Sequence, residues 1–227
     1  MIIVVGSGLV AVTAAQCFLE HGHSVMLTTA HAEFGFPHGG CGLWDTTVLA
    51  WPLPTLEEAV AKQEAENITC RSQWLVKRLV HRFTDSGGRS ATRIRIQRHD
   101  GVLQSTGTGT VPLVGVQHVF LADQDVTEPA SSAGAPLLSH TRTCTWYGAI
   151  TVGGTPVRSA NTGERGDGSI ECWTTSSSEL DEIKPFTLES MVMKWDEDDG
   201  PLNAARCARR SREAVHDLMA SNRLGVA

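Results

Sequence analysis

Two glycine-rich stretches hold the residue types best suited to chemistry. In MIIVVGSGLVA, Gly6, Gly8 and Ala11 form a G-x-G-x-x-A turn directly after an apolar run. The first glycine permits a tight turn and the second lets backbone approach a pyrophosphate. The small third residue lets a helix pack closely on a strand. A helix opening here also offers N–H groups and a partial positive charge to a phosphate. Gly6, Ser7, Gly8 and Ala11 are therefore candidate ligand-binding residues; the alternative is a plain strand-to-helix turn. The second stretch is His38-Gly39-Gly40-Cys41-Gly42. Its closely spaced glycines give a loop able to nest an anion on backbone N–H groups.

The flanking elements supply the context that the first turn requires. Ile2–Val5 is a continuous β-branched run, as in a parallel strand covered on both faces. Leu9, Val12, Ala15 and Leu19 recur at helical spacing, and His21-Gly22-His23 ends that helix. Val25–Leu27 reads as a second strand, completing a βαβ unit whose crossover is expected to be right-handed.

Residues 31–54 have no clean period and read as an ordered loop, and Leu56–Glu66 and Gln73–Phe83 as helices. In the second helix Trp74, Val76, Leu79, Val80 and Phe83 form the expected buried stripe. The period then changes to two. ATRIRIQRHDGVLQ alternates around Asp100-Gly101, a strong type I′ hairpin signal. Val114–Ala122 reads as a strand and Gln124–Pro136 as a surface loop. A hairpin is expected around Gly153-Gly154, and a further strand at Ser169–Thr174 after the Gly166-Asp167-Gly168 turn. Pro201 is expected to start the last helix, with Leu202, Ala205, Ala208, Val215, Leu218 and Met219 inward. Its arginines Arg206, Arg209, Arg210 and Arg212 read as a mostly solvated face.

Residues 2–30, IIVVGSGLVAVTAAQCFLEHGHSVMLTTA, resemble the amino terminus of the FAD/NAD(P)-binding flavoprotein superfamily, the glutathione-reductase-like group. The resemblance implies an α/β fold. A Rossmann-like parallel sheet is joined by an antiparallel hairpin-rich portion and a C-terminal helix. It also implies FAD as cofactor, with NAD(P) as the alternative. In that family an acid closing the second strand holds the adenosine ribose, and Thr29 occupies that position here. A hydroxyl cannot supply the bidentate, charge-assisted pairing of a carboxylate, and the nearest acid is Glu33. Many of these flavoproteins carry a Gly-Gly doublet after the second strand, a part that Gly39 and Gly40 would play. His38, Cys41, Trp44 and Asp45 would then lie beside the cofactor, with His38, Cys41 and Asp45 as candidate catalytic residues. A thiolate at Cys41 needs a nearby positive charge, and His38 is close in sequence. A tight structural loop with a buried cysteine and tryptophan is the competing reading. Asp198-Asp199-Gly200 before the last helix echoes the family's carboxyl-terminal topology, and helix capping explains it equally well.

Composition narrows the function classes. A net charge of −6 supplies no basic field for nucleic acid or an anionic membrane. The six cysteines are scattered without a CxxC pair, which argues against a disulfide framework or a paired-ligand zinc site. His21 and His23 flank a helix end and the other histidines fall in different elements, so no metal site is expected. The apolar amino terminus lacks a basic leader region, and no run reaches the ~18 apolar residues of a membrane span, so a cytoplasmic location is expected. Residues 1–227 are read as one FAD/NAD(P)-binding-like domain with a β-rich subregion around 90–175. Members of the family with a full substrate domain are usually longer. The chain is thus expected to be a minimal version, a truncated relative or one subunit of a homo- or hetero-oligomer. The leading expectation is a small FAD-dependent oxidoreductase acting on a small-molecule substrate. The alternatives are a cyclase or isomerase that has lost or repurposed the dinucleotide, and a non-catalytic cofactor-binding partner subunit.

Overall fold

The computed structural model describes residues 1–35, 41–45, 62–64, 67–109, 111–122, 134–138, 143–158, 161–196 and 204–221. Through the amino-terminal third the elements are β1 (Ile2–Val5), α1 (Leu9–Glu20), β2 (Val25–Thr28), β3 (Leu43–Asp45), β4 (Lys62–Glu64), β5 (Asn67–Thr69) and α2 (Ser72–Asp85). Then come β6 (Arg89–Ala91), β7 (Ile94–His99), β8 (Val102–Gly107), β9 (His118–Leu121), β10 (Ala135–Pro136) and β11 (Thr143–Thr151). The chain continues with β12 (Asn161–Glu164), β13 (Ile170–Thr174), a 3₁₀ segment (Ser177–Phe186), β14 (Thr187–Asp196) and α3 (Ala204–Ala220). These elements fall into two compact units: Met1–His38 with Val76–Ser139 and Arg210–Ala227, and Gly39–Leu75 with His140–Arg209. The β-rich region expected over 90–175 is divided between them.

The first unit is built on a parallel sheet in the order β10-β9-β1-β2-β6. β1 lies at its centre, and Ile3 and Val4 are wholly buried, which is why that strand is an unbroken apolar run. Side chains alternate between the two faces of such a sheet. On one face Phe18 of α1 stacks on Phe120 of β9 with ring centroids 5.2 Å apart. On the other, Ile94 and Ile96 of the β7–β8 hairpin join Ile3, Met26, Val111 and Val119 in one buried cluster. The hairpin turns at Asp100 and Gly101 with φ of 49° and 80°, the two positive values that a type I′ turn demands. Fixing α3 onto this unit, Ser211 Oγ donates to the Val10 carbonyl at 2.8 Å, and Ser211 and Val215 are wholly buried.

The second unit holds an antiparallel sheet in the order β12-β13-β11-β14 and a small sheet in the order β3-β5-β4. Its apolar centre is Cys41, Trp146 and Trp173, flanked by Leu43, Cys144, Met191 and Met193.

Several expectations are corrected. Lys62–Glu64, read as part of a helix, is strand β4, because it pairs antiparallel with β5 from Lys62↔Thr69 to Glu64↔Asn67. Tertiary pairing overrides helix propensity there. The strand expected at Val114–Ala122 shortens to His118–Leu121, because Gly115 turns the chain at a φ of 75° and leaves Val114 exposed. Among the described residues no hairpin forms across Gly153-Gly154. β11 pairs with β13 and β14 instead, and the local hairpin is β12–β13. In α2 Trp74 is 44% exposed, and Leu75 takes its place in the buried stripe with Val76, Leu79, Val80 and Phe83. Pro201, Leu202 and Asp198-Asp199-Gly200 lie outside the described residues.

Candidate functional site

The G-x-G-x-x-A turn sits where a parallel sheet offers a ligand crevice, beyond the carboxyl ends of its strands. β1 ends at Val5, paired with Thr28 at the end of β2, and the Gly6 N–H donates to the Thr28 carbonyl at 2.9 Å. The first glycine thereby extends the β1–β2 pairing by one bond before the chain reverses. Gly8 is the N-cap of α1 in extended conformation, and no side chain caps the helix by hydrogen bonding. The N–H groups of a first helical turn have no partner within the helix, so they point outward as anion donors. Ala11 is wholly buried, as close helix-to-strand packing requires. Ser7 is buried too, and its carbonyl accepts from the Gly35 N–H at 2.7 Å, which brings the segment after β2 back against the turn.

The β2 end presents hydroxyls in place of a carboxylate. Thr29 is buried, and its Oγ1 accepts from the His31 N–H at 3.2 Å. Its N–H donates to the Ala91 carbonyl and its carbonyl accepts from Ile94. The nearest acid, Glu33, pairs with Lys77 at 2.8 Å on the surface. Thr28 Oγ1 is buried without a hydrogen-bond partner among the described residues. The turn therefore fits the pyrophosphate of a dinucleotide. The ribose end departs from the carboxylate pattern, with one orphaned hydroxyl where the acid's neighbour would stand.

Gly6, Ser7, Gly8, Ala11 and Thr29 are thus brought to one end of one sheet in the first unit. His38, Gly39 and Gly40 lie outside the described residues. Cys41 belongs to the second unit, where it is buried against Trp146 and Trp173, and its Sγ accepts from the Leu43 N–H at 3.5 Å. Trp44 and Asp45 are described by their backbone, which pairs β3 with Ile68 and Asn67 of β5. Their side chains lie outside the described residues.

A buried charged cluster beside Cys41 was not foreseen. Glu171, wholly buried, accepts from Arg165 Nε at 3.0 Å and Nη2 at 2.6 Å through Oε2. Its Oε1 accepts from the Gly42 N–H at 2.7 Å and from Trp173 Nε1 at 2.6 Å. Four donors therefore converge on one carboxylate, the arrangement that makes a buried charge tolerable. Gly42 is required here, since a Cβ would overlap the Cys70 carbonyl. The readable signal was Glu171 itself, a charge inside the apolar strand Ile170–Thr174. Burial, reinforced by Glu171 and opposed by Arg165, pushes the Cys70 thiol up to about 12. Such a thiol stays protonated and is a poor nucleophile at neutral pH.

Among the described residues no helix is long and apolar enough to cross a membrane. No protein-family model matches the chain, and no curated protein matches it in sequence. Solved structures do match in shape. A geranylgeranyl bacteriochlorophyll reductase-like protein from Thermoplasma acidophilum aligns with a TM-score of 0.63 at 12% identity, covering 98% of this chain and 79% of that one. A flavoprotein/dehydrogenase from Cytophaga hutchinsonii aligns at 0.57 and 10% identity, covering 96% and 78%. CtdE, solved in complex with FAD and a substrate, aligns at 0.51 and 12% identity, covering 95% and 78%. At these identities the likeness concerns the fold. The chain has an α/β, Rossmann-like fold similar to that of these solved structures, with a parallel sheet, antiparallel strands and a C-terminal helix.

Proposed function

We propose that this protein is a flavin-dependent redox enzyme, a small FAD-dependent oxidoreductase acting on a small molecule. The observation that carries the reading is the Gly6-Ser7-Gly8 turn, set at the carboxyl end of the central parallel strand and opening α1. Similarity of fold to a protein solved with FAD supports it. Backbone N–H groups of the first turn of α1 would hold the pyrophosphate, with the helix dipole adding favourable charge. Ala11 lets that helix end approach the sheet, and Thr29 or Glu33, at and just after the end of β2, would stand near the ribose. When bound, the flavin supplies the electron-transfer chemistry, and the protein supplies position and exclusion of water. His38, Gly39, Gly40, Cys41 and Asp45 remain proposed as the flavin-side residues. For Cys41, buried with Trp146 and Trp173, the setting argues against attack on a substrate.

The test is the visible spectrum of the purified protein, where absorbance near ~450 nm marks an oxidised flavin. Gly8→Trp should remove that absorbance while circular dichroism stays native-like. Retention of flavin by the variant would place the phosphates elsewhere.

The Glu33–Lys77 pair and the engaged Thr29 hydroxyl favour one alternative, a non-redox cyclase or isomerase working in a vacated dinucleotide cleft. A colourless protein that FAD, NAD and NADP all fail to stabilise would support it.

A further inference from the structure

His21, the residue that caps the carboxyl end of α1, follows Cys17 by four positions and so lies one turn beyond it on the same side. α3 brings His216 to that face. Its Nε2 lies 4.0 Å from Cys17 Sγ and its Nδ1 lies 3.3 Å from His21 Nε2. The two imidazoles meet edge to face, with centroids 5.0 Å apart. One donor atom from each of the three residues lies within 4.8 Å of the other two. Cys17 forms a buried floor, while His21 and His216 form an exposed rim open to ions from solvent.

We propose that Cys17, His21 and His216 form a binding site for a borderline-soft divalent cation of the zinc class, which clamps α3 onto the end of α1. The donor set is one sulfur and two imidazole nitrogens, the chemistry that selects such ions over magnesium or calcium. Zinc bonds of about 2.3 Å to sulfur and 2.0–2.1 Å to nitrogen put tetrahedral ligand atoms roughly 3.3–3.6 Å apart. His216 faces Cys17 and His21 with different nitrogens, so holding one ion requires its ring to turn until a single nitrogen serves, from ligand atoms that start within 4.8 Å of one another. Three protein ligands leave a fourth position for water. His21 caps the carboxyl end of α1, where the helix dipole favours positive charge. Glu20 and Arg212, whose opposite charges both act on Cys17, pair with each other at 3.1 Å. A bound cation deprotonates a coordinating thiol outright. Without a metal the two imidazoles share a hydrogen bond, which is the competing account of their contact.

The experiment is titration of the chelator-treated full chain with zinc, then with cobalt as a spectroscopic probe. One equivalent of zinc should bind and raise the melting temperature, and cobalt should give a thiolate charge-transfer band in the near ultraviolet. His21→Gln and His216→Gln, both at exposed positions, should each weaken zinc binding by more than about 100-fold, beyond the loss typical of an outer-shell partner. Cys17 is wholly buried, so its part is read from the cobalt band rather than by substitution. Absence of stoichiometric binding, binding that survives both histidine changes together, or a cobalt spectrum without the thiolate band would each overturn the proposal.

Discussion

Glu171 is the residue whose removal should be felt most. Glu171→Ala leaves Arg165, only 4% exposed, without its counter-charge, and takes the acceptor from Gly42 and Trp173. The expected loss is about 3–5 kcal/mol, seen as a lower urea midpoint. Gly42→Ala should cost about 1–3 kcal/mol by overpacking against the Cys70 carbonyl. Cys70 makes a separate, pH-dependent contribution. Its proton leaves the unfolded chain near 9.0 and the folded chain near about 12, so within that window the unfolded state binds fewer protons. Stability from this group is therefore fully present below pH 9 and falls as pH rises, by up to about 1.4 kcal/mol per pH unit. Urea titrations from pH 8 to 10 should show a steeper decline in the native protein than in Cys70→Ala. Of these features the sequence showed a charge in an apolar strand, but not its partners.

At the scale of elements, the β7–β8 hairpin and the α1–α3 contact carry separable tests. Gly101→Val places a β-branched residue at a φ of 80° and should cost about 1–2 kcal/mol by thermal unfolding. Ser211→Ala removes the bond to the Val10 carbonyl and should cost about 1 kcal/mol. β1, α1, β2, α2, the Asp100-Gly101 hairpin and β13 were legible because periodicity and turn chemistry are local properties. Lys62–Glu64 and the course of β11 were not. A strand's partners are chosen by pairing across the sheet, and β11 bonds to β13 and β14, neither of which is the next strand in the chain.

For the whole molecule, the cofactor proposal predicts mass-action stabilisation. FAD at ~100 times its dissociation constant should add about 2.7 kcal/mol, roughly 5–10 °C in melting temperature for a chain of this length. Gly8→Trp should erase that shift. The division into two compact units was not legible. Each is assembled from segments far apart in the chain, so no composition change along the sequence marks a boundary between them.

What the sequence by itself determined is the amino-terminal strand–turn–helix–strand unit and its glycine turn. Short-range sterics and apolar periodicity settle such features within about 30 residues. The tertiary structure decided which side chains meet. Glu171 reaches Gly42 across 129 positions, and His216 reaches Cys17 across 199. Contacts at such separations depend on how whole elements pack, and no local pattern of residues encodes them.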